Sequence, residues 1–244
     1  MKKLSFLWFC FFIISKLNAQ QMVNLVLVGN NGVTEDIKEA HSFILVKKYP
    51  NSFQRLDYKL AAPLQKVRNY TDSTLTVLQG GYCEYALSGA LSIRGHYENN
   101  LRENEWYYYN DTGKVILEEK YEQGVLIKIT NPDSVKEELP EETGFKDGER
   151  EATFKKGIKD WIKYLTTNLN SEVSVKSVNG GNVIVNFRVD KEGKVVDVFL
   201  SRSVEFILDE EGIRIIENSP LWHPAIQEGK NVNAYRRQPI LFRK

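Results

Sequence analysis

Residues 82–129 contain one sequence pattern twice, at an offset of 24 residues. Each copy has an aromatic residue, a tyrosine three positions later, a turn with glycine, and a segment in which apolar and polar residues alternate. The offset aligns Tyr82 with Trp106, Tyr85 with Tyr109, Gly89 with Gly113, Leu91 with Val115, Ile93 with Leu117, and Tyr97 with Tyr121. Alternation interrupted by turns at short spacing predicts consecutive antiparallel strands that form a meandering sheet.

The stretch SGALSIRGHYENNLRENEWYYYNDTGKVILEEKYEQGVL resembles the variant MORN repeats of secreted bacterial proteins. Two units match, at about 82–105 and 106–129, and the segment before residue 82 has room for one or two degenerate units. The resemblance implies a twisted antiparallel β-sheet over residues 20–130. Such repeats serve as spacers or docking surfaces.

Aromatic residues form a ladder along these repeats, and two interpretations of it are open. The rings either stack on sugars or bases, or they bury area between the strands of a thin sheet, which is their usual role. Alternate strand residues point to opposite faces, so only Tyr107 and Tyr109 of the run 107–109 can share one. The ladder comprises Tyr82, Tyr85, Tyr97, Trp106, Tyr107, Tyr108, Tyr109 and Tyr121.

Residues 1–19 have the layout of a secretory signal peptide. Two lysines precede an apolar run from Leu4 to Ile14, and a short polar region ends at Ala19. The run is shorter than the ~20 residues that span a bilayer. We therefore predict cleavage near Ala19 and a protein that is periplasmic or associated with the outer membrane.

Residues 131–144 have two prolines, five acidic residues and no periodic apolar pattern, which predicts an acidic linker. Residues 145–244 then follow the order helix, strand, strand, helix, strand, typical of an α+β domain. The hairpin turn lies at 190–193, Asp209 is predicted to cap the second helix, and the last strand begins near Asn233. The first helix has these apolar residues at helical spacing: Phe154, Ile158, Trp161, Ile162 and Leu165.

Three segments of this region resemble the TonB C-terminal domain of the Bacteroidetes type. They are GNVIVNFRVDKEGKVVDV, LDEEGIRIIENSPLWHPAIQEGKNV and QPILFR, within about 90 residues. Gly212 stands where the family prefers alanine. The resemblance implies a TonB-like α-β-β-α-β domain whose last part receives a short segment of an outer-membrane receptor.

The terminal strand is the predicted partner-binding element, since an edge strand has unpaired backbone groups to which an extended peptide can add. Arg236 and Arg237 either select an acidic peptide or protect the edge against aggregation. The strand can also pair with a second copy, giving a homodimer. The predicted partner-binding residues are Asn233, Tyr235, Arg236, Arg237, Pro239, Ile240 and Phe242, and the predicted core residues are Trp222, Phe187 and Trp161.

The sequence has no pattern typical of an enzyme. Its three histidines have no partner at metal-ligand spacing, and no nucleophile elbow, P-loop or dinucleotide motif is present. Cys83 lies in a predicted strand without a nearby base. The net charge of +1 creates no general attraction for nucleic acid. We therefore expect no catalysis, no cofactor, no metal and no nucleic-acid partner.

Together these patterns predict an exported, non-enzymatic interaction protein of the cell envelope, linked to outer-membrane transport. One alternative is a membrane-anchored energy transducer that retains residues 1–19, and another is a glycan-binding module that uses the tyrosines. A mature N-terminus at residue 20 or 21 indicates export, whereas Met1 indicates an anchor. A transducer also needs a long arm, and residues 131–144 reach only about 50 Å when extended.

Overall fold

The computed structural model describes residues 21–131, 149–155 and 157–244. The predicted signal peptide at 1–19 lies outside the described residues, and so does the predicted linker at 131–144 apart from Asn131. The described residues form mostly antiparallel β-structure with few helices, in a large N-terminal sheet and a C-terminal α+β domain.

Ten strands form the N-terminal sheet, in the order β10-β9-β8-β7-β6-β5-β4-β3-β1-β2. Nearly every strand pairs with its neighbour in sequence, because short turns return the chain directly. The strands are β1 (Gln21–Gly29), β2 (Gly32–Thr34), β3 (Ala40–Tyr49), β4 (Ser52–Lys59), β5 (Leu64–Tyr70), β6 (Leu78–Tyr85), β7 (Leu91–Glu98), β8 (Leu101–Tyr109), β9 (Val115–Glu122) and β10 (Val125–Thr130).

The 24-residue offset relates β6 to β8 and β7 to β9. The equivalent turn glycines, Gly89 and Gly113, have nearly the same backbone angle, with φ at +82° and +83°. Glycine adopts this left-handed conformation without steric cost. The predicted consecutive antiparallel strands are confirmed in this part of the chain.

The C-terminal domain has a three-stranded antiparallel sheet in the order β13-β12-β17, and α3 packs against β12 and β13. Two small strand pairs, β11 with β14 and β15 with β16, lie beside it. The elements are β11 (Thr153–Phe154), α1 (Gly157–Asn168), α2 (Glu172–Lys176), β12 (Gly181–Val189), β13 (Val195–Arg202), α3 (Phe206–Glu217), β14 (Trp222–His223), β15 (Ala225–Gln227), β16 (Lys230–Val232) and β17 (Ala234–Phe242).

The first helix differs from its predicted apolar face. Phe154 belongs to β11 and not to the helix, while Ile158 and Ile162 are exposed. The buried residue of α1 is Trp161, and Tyr164 and Leu165 also pack against the core. These residues lie three and four positions after Trp161, so helical geometry places them on its face.

The predicted second helix is α3 in the structure, and it begins earlier than predicted. Its N-terminal flanking residue is Glu205, and Asp209 lies inside the helix, fully buried. On the same helix, a Cβ added to Gly212 would lie 3.1 Å from Val183 of β12. Glycine at this position therefore allows α3 to approach the sheet closely.

The N-terminal sheet and the C-terminal domain share one hydrophobic core. Leu45, Leu56 and Cys83 belong to the same buried cluster as Val185 and Leu208 of the C-terminal domain. The face of the sheet that carries Leu45, Leu56 and Cys83 is here named the inner face. The two parts of the chain are therefore packed together.

Candidate partner-binding edge

β17 lies at an edge of the C-terminal sheet. It pairs with β12 in an unbroken antiparallel register, from Gly181 opposite Phe242 to Val189 opposite Ala234. Within the described residues, no other strand pairs with β17. Its second side therefore has no strand partner along its nine residues, and on that side the Pro239 carbonyl accepts a hydrogen bond from the Gln238 side chain at 2.7 Å.

Pro239 indicates which backbone groups face away from β12. Proline has no N–H, so it fits an unbroken ladder where its nitrogen faces away from the neighbouring strand. Pro239 lies opposite Ile184 without a register shift on either side. Because backbone groups of alternate residues face the same side of a strand, those of Tyr235, Arg237 and Leu241 also face away from β12.

The predicted partner-binding side chains divide between the two faces of β17. Tyr235, Arg237 and Pro239 are exposed, as is Asn233 just before the strand. Ile240 and Phe242 are buried, and their alternating positions direct their backbone groups toward β12. The structure thus places Ile240 and Phe242 in the core and leaves the other face available.

The two arginines of the strand have different environments. Arg236 forms an ion pair with Glu151 and donates a hydrogen bond to the carbonyl of Ala152, with 2.8 Å between Nε and that oxygen. Arg237 is exposed and forms no ion pair with any described residue. Selection of an acidic peptide would therefore depend on Arg237, while Arg236 attaches β17 to the residues before α1.

Tyr235 connects the edge strand to the N-terminal sheet. Its hydroxyl donates a hydrogen bond to Asp197 of β13 at 2.5 Å, and Arg94 of β7 donates to the same carboxylate at 2.8 Å. The Arg94 guanidinium also lies 4.2 Å from the centroid of the Phe199 ring. Burial and the hydrogen bond to Asp197 raise the pKa of Tyr235, so the phenol remains a neutral donor.

The three predicted core residues lie in one aromatic cluster behind the edge strand. The Trp222 ring lies 4.9 Å from Trp161 and 5.3 Å from Phe187, between centroids, and all three are buried. The indole N–H of Trp161 donates a hydrogen bond to Gln238 of β17 at 2.7 Å. The cluster therefore holds α1 against the strand that carries the candidate edge.

The contact between the N-terminal sheet and the C-terminal domain was not predicted from the sequence. The Tyr58 hydroxyl donates to Asp209 at 3.1 Å, and the Tyr85 hydroxyl donates to the Leu200 carbonyl at 3.0 Å. The Ser203 N–H donates to the Gly89 carbonyl at 2.9 Å. Tyr58 is the last residue but one of β4 and Tyr85 is the last residue of β6, and each strand is the first of a hairpin. A tyrosine at the end of such a strand is therefore the sequence signal for this contact.

Asp209 is the buried centre of this contact. Its carboxylate accepts hydrogen bonds from the Ser203 hydroxyl at 2.5 Å, the Val204 N–H at 2.9 Å and the Tyr58 hydroxyl at 3.1 Å. Burial raises the pKa of Asp209 to about 7, although these hydrogen bonds oppose the rise. Beside it, the Lys47 ammonium forms a 2.5 Å ion pair with Glu210.

The aromatic ladder occupies both faces of the N-terminal sheet. On the face opposite the inner one, Trp106 is fully buried between Tyr82, Tyr97 and Tyr121, with ring centroids 5.0 to 6.4 Å away. A Cβ added to Gly95 would lie 2.2 Å from the Trp106 ring. These rings pack against one another across neighbouring strands. Their geometry therefore favours a role in packing the sheet over a role in stacking on a sugar.

Comparison with known families identifies part of the chain. Residues 171–243 match the model of the family described as Gram-negative bacterial TonB protein C-terminal. Searches of curated proteins and of solved structures gave no match. Residues 171–243 are thus similar in sequence to the C-terminal domain of TonB proteins. The resemblance of the N-terminal sheet to MORN repeats stays a prediction.

Proposed function

We propose that the TonB C-terminal domain of this chain docks an extended peptide of a protein partner on the free side of β17. The protein acts without catalysis, as an exported interaction protein of the cell envelope. Its partners include outer-membrane receptors, which links it to outer-membrane transport. Cleavage near Ala19 places it in the periplasm or at the outer membrane.

The observation that carries this proposal is the unpaired side of β17. Strand addition needs a straight ladder, free donors and acceptors, and side-chain contacts at alternate residues. β17 combines an unbroken register with outward groups at Tyr235, Arg237 and Leu241. Arg237 adds a positive charge, which favours a partner segment with an acidic residue opposite it.

The alternative of a membrane-anchored transducer rests on residues 1–19, which lie outside the described residues. Among the residues that the structure does describe, no helix is long and apolar enough to cross a membrane. The contact between the two parts of the chain supports the interaction role. It holds the candidate edge at a defined position relative to the N-terminal sheet through Tyr235, Asp197 and Arg94.

The proposal is tested with a photo-crosslinking amino acid at Leu241. This residue is exposed, and its backbone groups face away from β12. In intact cells of the native host we expect crosslinks to an envelope protein. The variant Arg237→Pro removes one outward N–H while keeping the ladder to β12, because Pro239 already occupies the same kind of position. We expect this variant to lose the crosslinks.

Arg237→Ala is the matched control, since it removes the charge but keeps the N–H. It should retain crosslinks, at a reduced level if the partner segment is acidic. Crosslinks that persist in Arg237→Pro would contradict docking by strand addition. Deletion of residues 233–244 is a poor test, because it also removes the buried Ile240 and Phe242.

A further inference from the structure

β10 is the last strand of the N-terminal sheet at the end opposite to β2, and its sequence is Val-Leu-Ile-Lys-Ile-Thr. Within the described part of the chain it pairs with β9 alone. It contains no proline, and Lys128 is its single charged residue. These are the properties of an edge that other strands can extend.

The apolar side chains of β10 are exposed on both faces of the sheet. Leu126 and Ile129 lie beside Tyr121 and Glu119, on the face of the aromatic cluster, whereas Val125 lies on the inner face beside Glu122. A layer packed on one face would leave the other uncovered, whereas an added strand brings neighbours to both. The exposed fractions are 64% for Val125, 41% for Leu126, 47% for Ile127 and 57% for Ile129.

The other edge strands of the two larger sheets are less suited to pairing with a copy of themselves. β13 lies against the N-terminal sheet, where Arg202 forms a bridge with Ala90. β2 spans three residues, so it offers little length. β17 carries the exposed Arg237, and antiparallel pairing of two such strands centred on this residue brings like charges together. Self-association through the terminal strand, as predicted from the sequence, is disfavoured in that register.

We propose that β10 pairs antiparallel with β10 of a second copy of this chain, which joins the two N-terminal sheets into one. In the register that brings side chains of the same sheet face together, Leu126 of each copy lies opposite Ile129 of the other. The two-fold symmetry gives this pair twice in each dimer. Val125 then lies opposite Thr130, and Ile127 lies opposite Lys128. Lys128 does not face its symmetry mate, and its aliphatic stem covers Ile127.

The small size of this interface indicates weak association of the two copies. Six paired residues span about 20 Å, and such a contact is near the low end of specific interfaces. We therefore expect a reversible dimer with a dissociation constant of about 10 to 100 µM. This association does not depend on peptide docking at β17.

Sedimentation equilibrium of the full chain, as the cell processes it, tests the inference over about 1 to 500 µM, a range that brackets the expected constant. We expect a monomer–dimer equilibrium. Leu126→Lys should raise the dissociation constant at least about tenfold, because it places a charge opposite Ile129 twice in each dimer. Circular dichroism of each variant confirms that it is folded.

Two control variants locate the contact. Val33→Lys changes an exposed apolar residue on β2, and Leu241→Lys changes one on β17, so neither should alter the dimer. A monomer over the whole range would overturn the inference. Loss of the dimer in Leu241→Lys but not in Leu126→Lys would also overturn it and would assign association to the terminal strand.

The register has its own test. In the double variant Leu126→Cys and Ile129→Cys, each new thiol faces one of the partner under the proposed pairing. Mild oxidation should then give a covalent dimer, while Cys83 is buried and does not interfere. The single variant Leu126→Cys is the control and should remain uncrosslinked. Equal crosslinking of the single and double variants would contradict this register.

Discussion

At the scale of single residues, Asp209 shows how the environment overrides residue type. As an acidic residue near a helix start it is expected on the surface, yet it is fully buried and hydrogen-bonded to the N-terminal sheet through Tyr58. Burial disfavours its charged form more strongly than three hydrogen bonds favour it, so its pKa rises to about 7. We therefore expect the contact between the two parts of the chain to depend on pH.

The Asp209 carboxyl makes the stability of the folded chain depend on pH. Unfolded Asp209 loses its proton near its ordinary pKa of 3.8, whereas the folded chain keeps the proton until about pH 7. The stabilising effect is therefore complete below about pH 4 and is lost as the pH rises to about 7, at a cost of at most about 4 kcal/mol. Chemical denaturation across this range should show a weaker pH dependence in Asp209→Asn than in the unmodified chain.

An exposed control, Asp111→Asn, should leave the change of unfolding free energy with pH as it is in the unmodified chain. An equal pH dependence in both variants would contradict the prediction.

At the scale of elements, the repeated hairpins differ in what their turns contact. Gly89 and Gly113 occupy equivalent positions with nearly the same φ. A Cβ added to Gly89 would lie 2.1 Å from the Ser203 carbonyl oxygen, while one added to Gly113 would meet nothing within 4 Å. The turn after β6 is thus part of the contact with the C-terminal domain, and the turn after β8 is not.

This pair of glycines provides a matched test of that contact. Gly113→Ala should cost about 1 to 2 kcal/mol of unfolding free energy, the strain of a left-handed alanine. Gly89→Ala should lower the unfolding free energy by about 1 to 3 kcal/mol more than Gly113→Ala does, because the new Cβ displaces the Ser203 backbone. Urea denaturation of both variants measures the difference. Equal costs would show that the turn after β6 does not support the contact.

At the scale of the whole molecule, the N-terminal sheet and the C-terminal domain share a buried core. Tyr58, Tyr85 and Arg94 each contact the C-terminal domain by a hydrogen bond, and Phe206 of α3 packs its ring against Tyr58 at 5.4 Å. A unit with a continuous core unfolds as one, since exposing either side of the contact destabilises the other.

We therefore expect one calorimetric unfolding transition for the chain, with a ratio of calorimetric to van't Hoff enthalpy of about 1. Scanning calorimetry at two heating rates is the measurement. The variant Tyr85→Phe, which removes the hydrogen bond to Leu200, should lower the temperature of the whole transition. Two separate transitions, of which Tyr85→Phe shifts one, would show that the two parts fold independently.

The features that could be predicted from the amino-acid sequence depend on residues that are neighbours along the chain. The alternation and the turn glycines of residues 82–129 predicted the antiparallel strands, because strand geometry and left-handed turns are local requirements. The segments from Gly181 to Arg243 were sufficient to indicate the TonB C-terminal domain, and the family match at 171–243 supports it.

Which charged side chains form contacts within the protein and which are exposed depends on the fold of the whole chain. Arg236 and Arg237 are adjacent and chemically identical, yet one is paired with Glu151 and the other is exposed. The sequence likewise does not show that Asp209 meets Tyr58, 151 positions away. Such contacts depend on how the sheet packs against α3 and β13, and packing between distant segments follows from shape and burial of the whole chain and not from local periodicity.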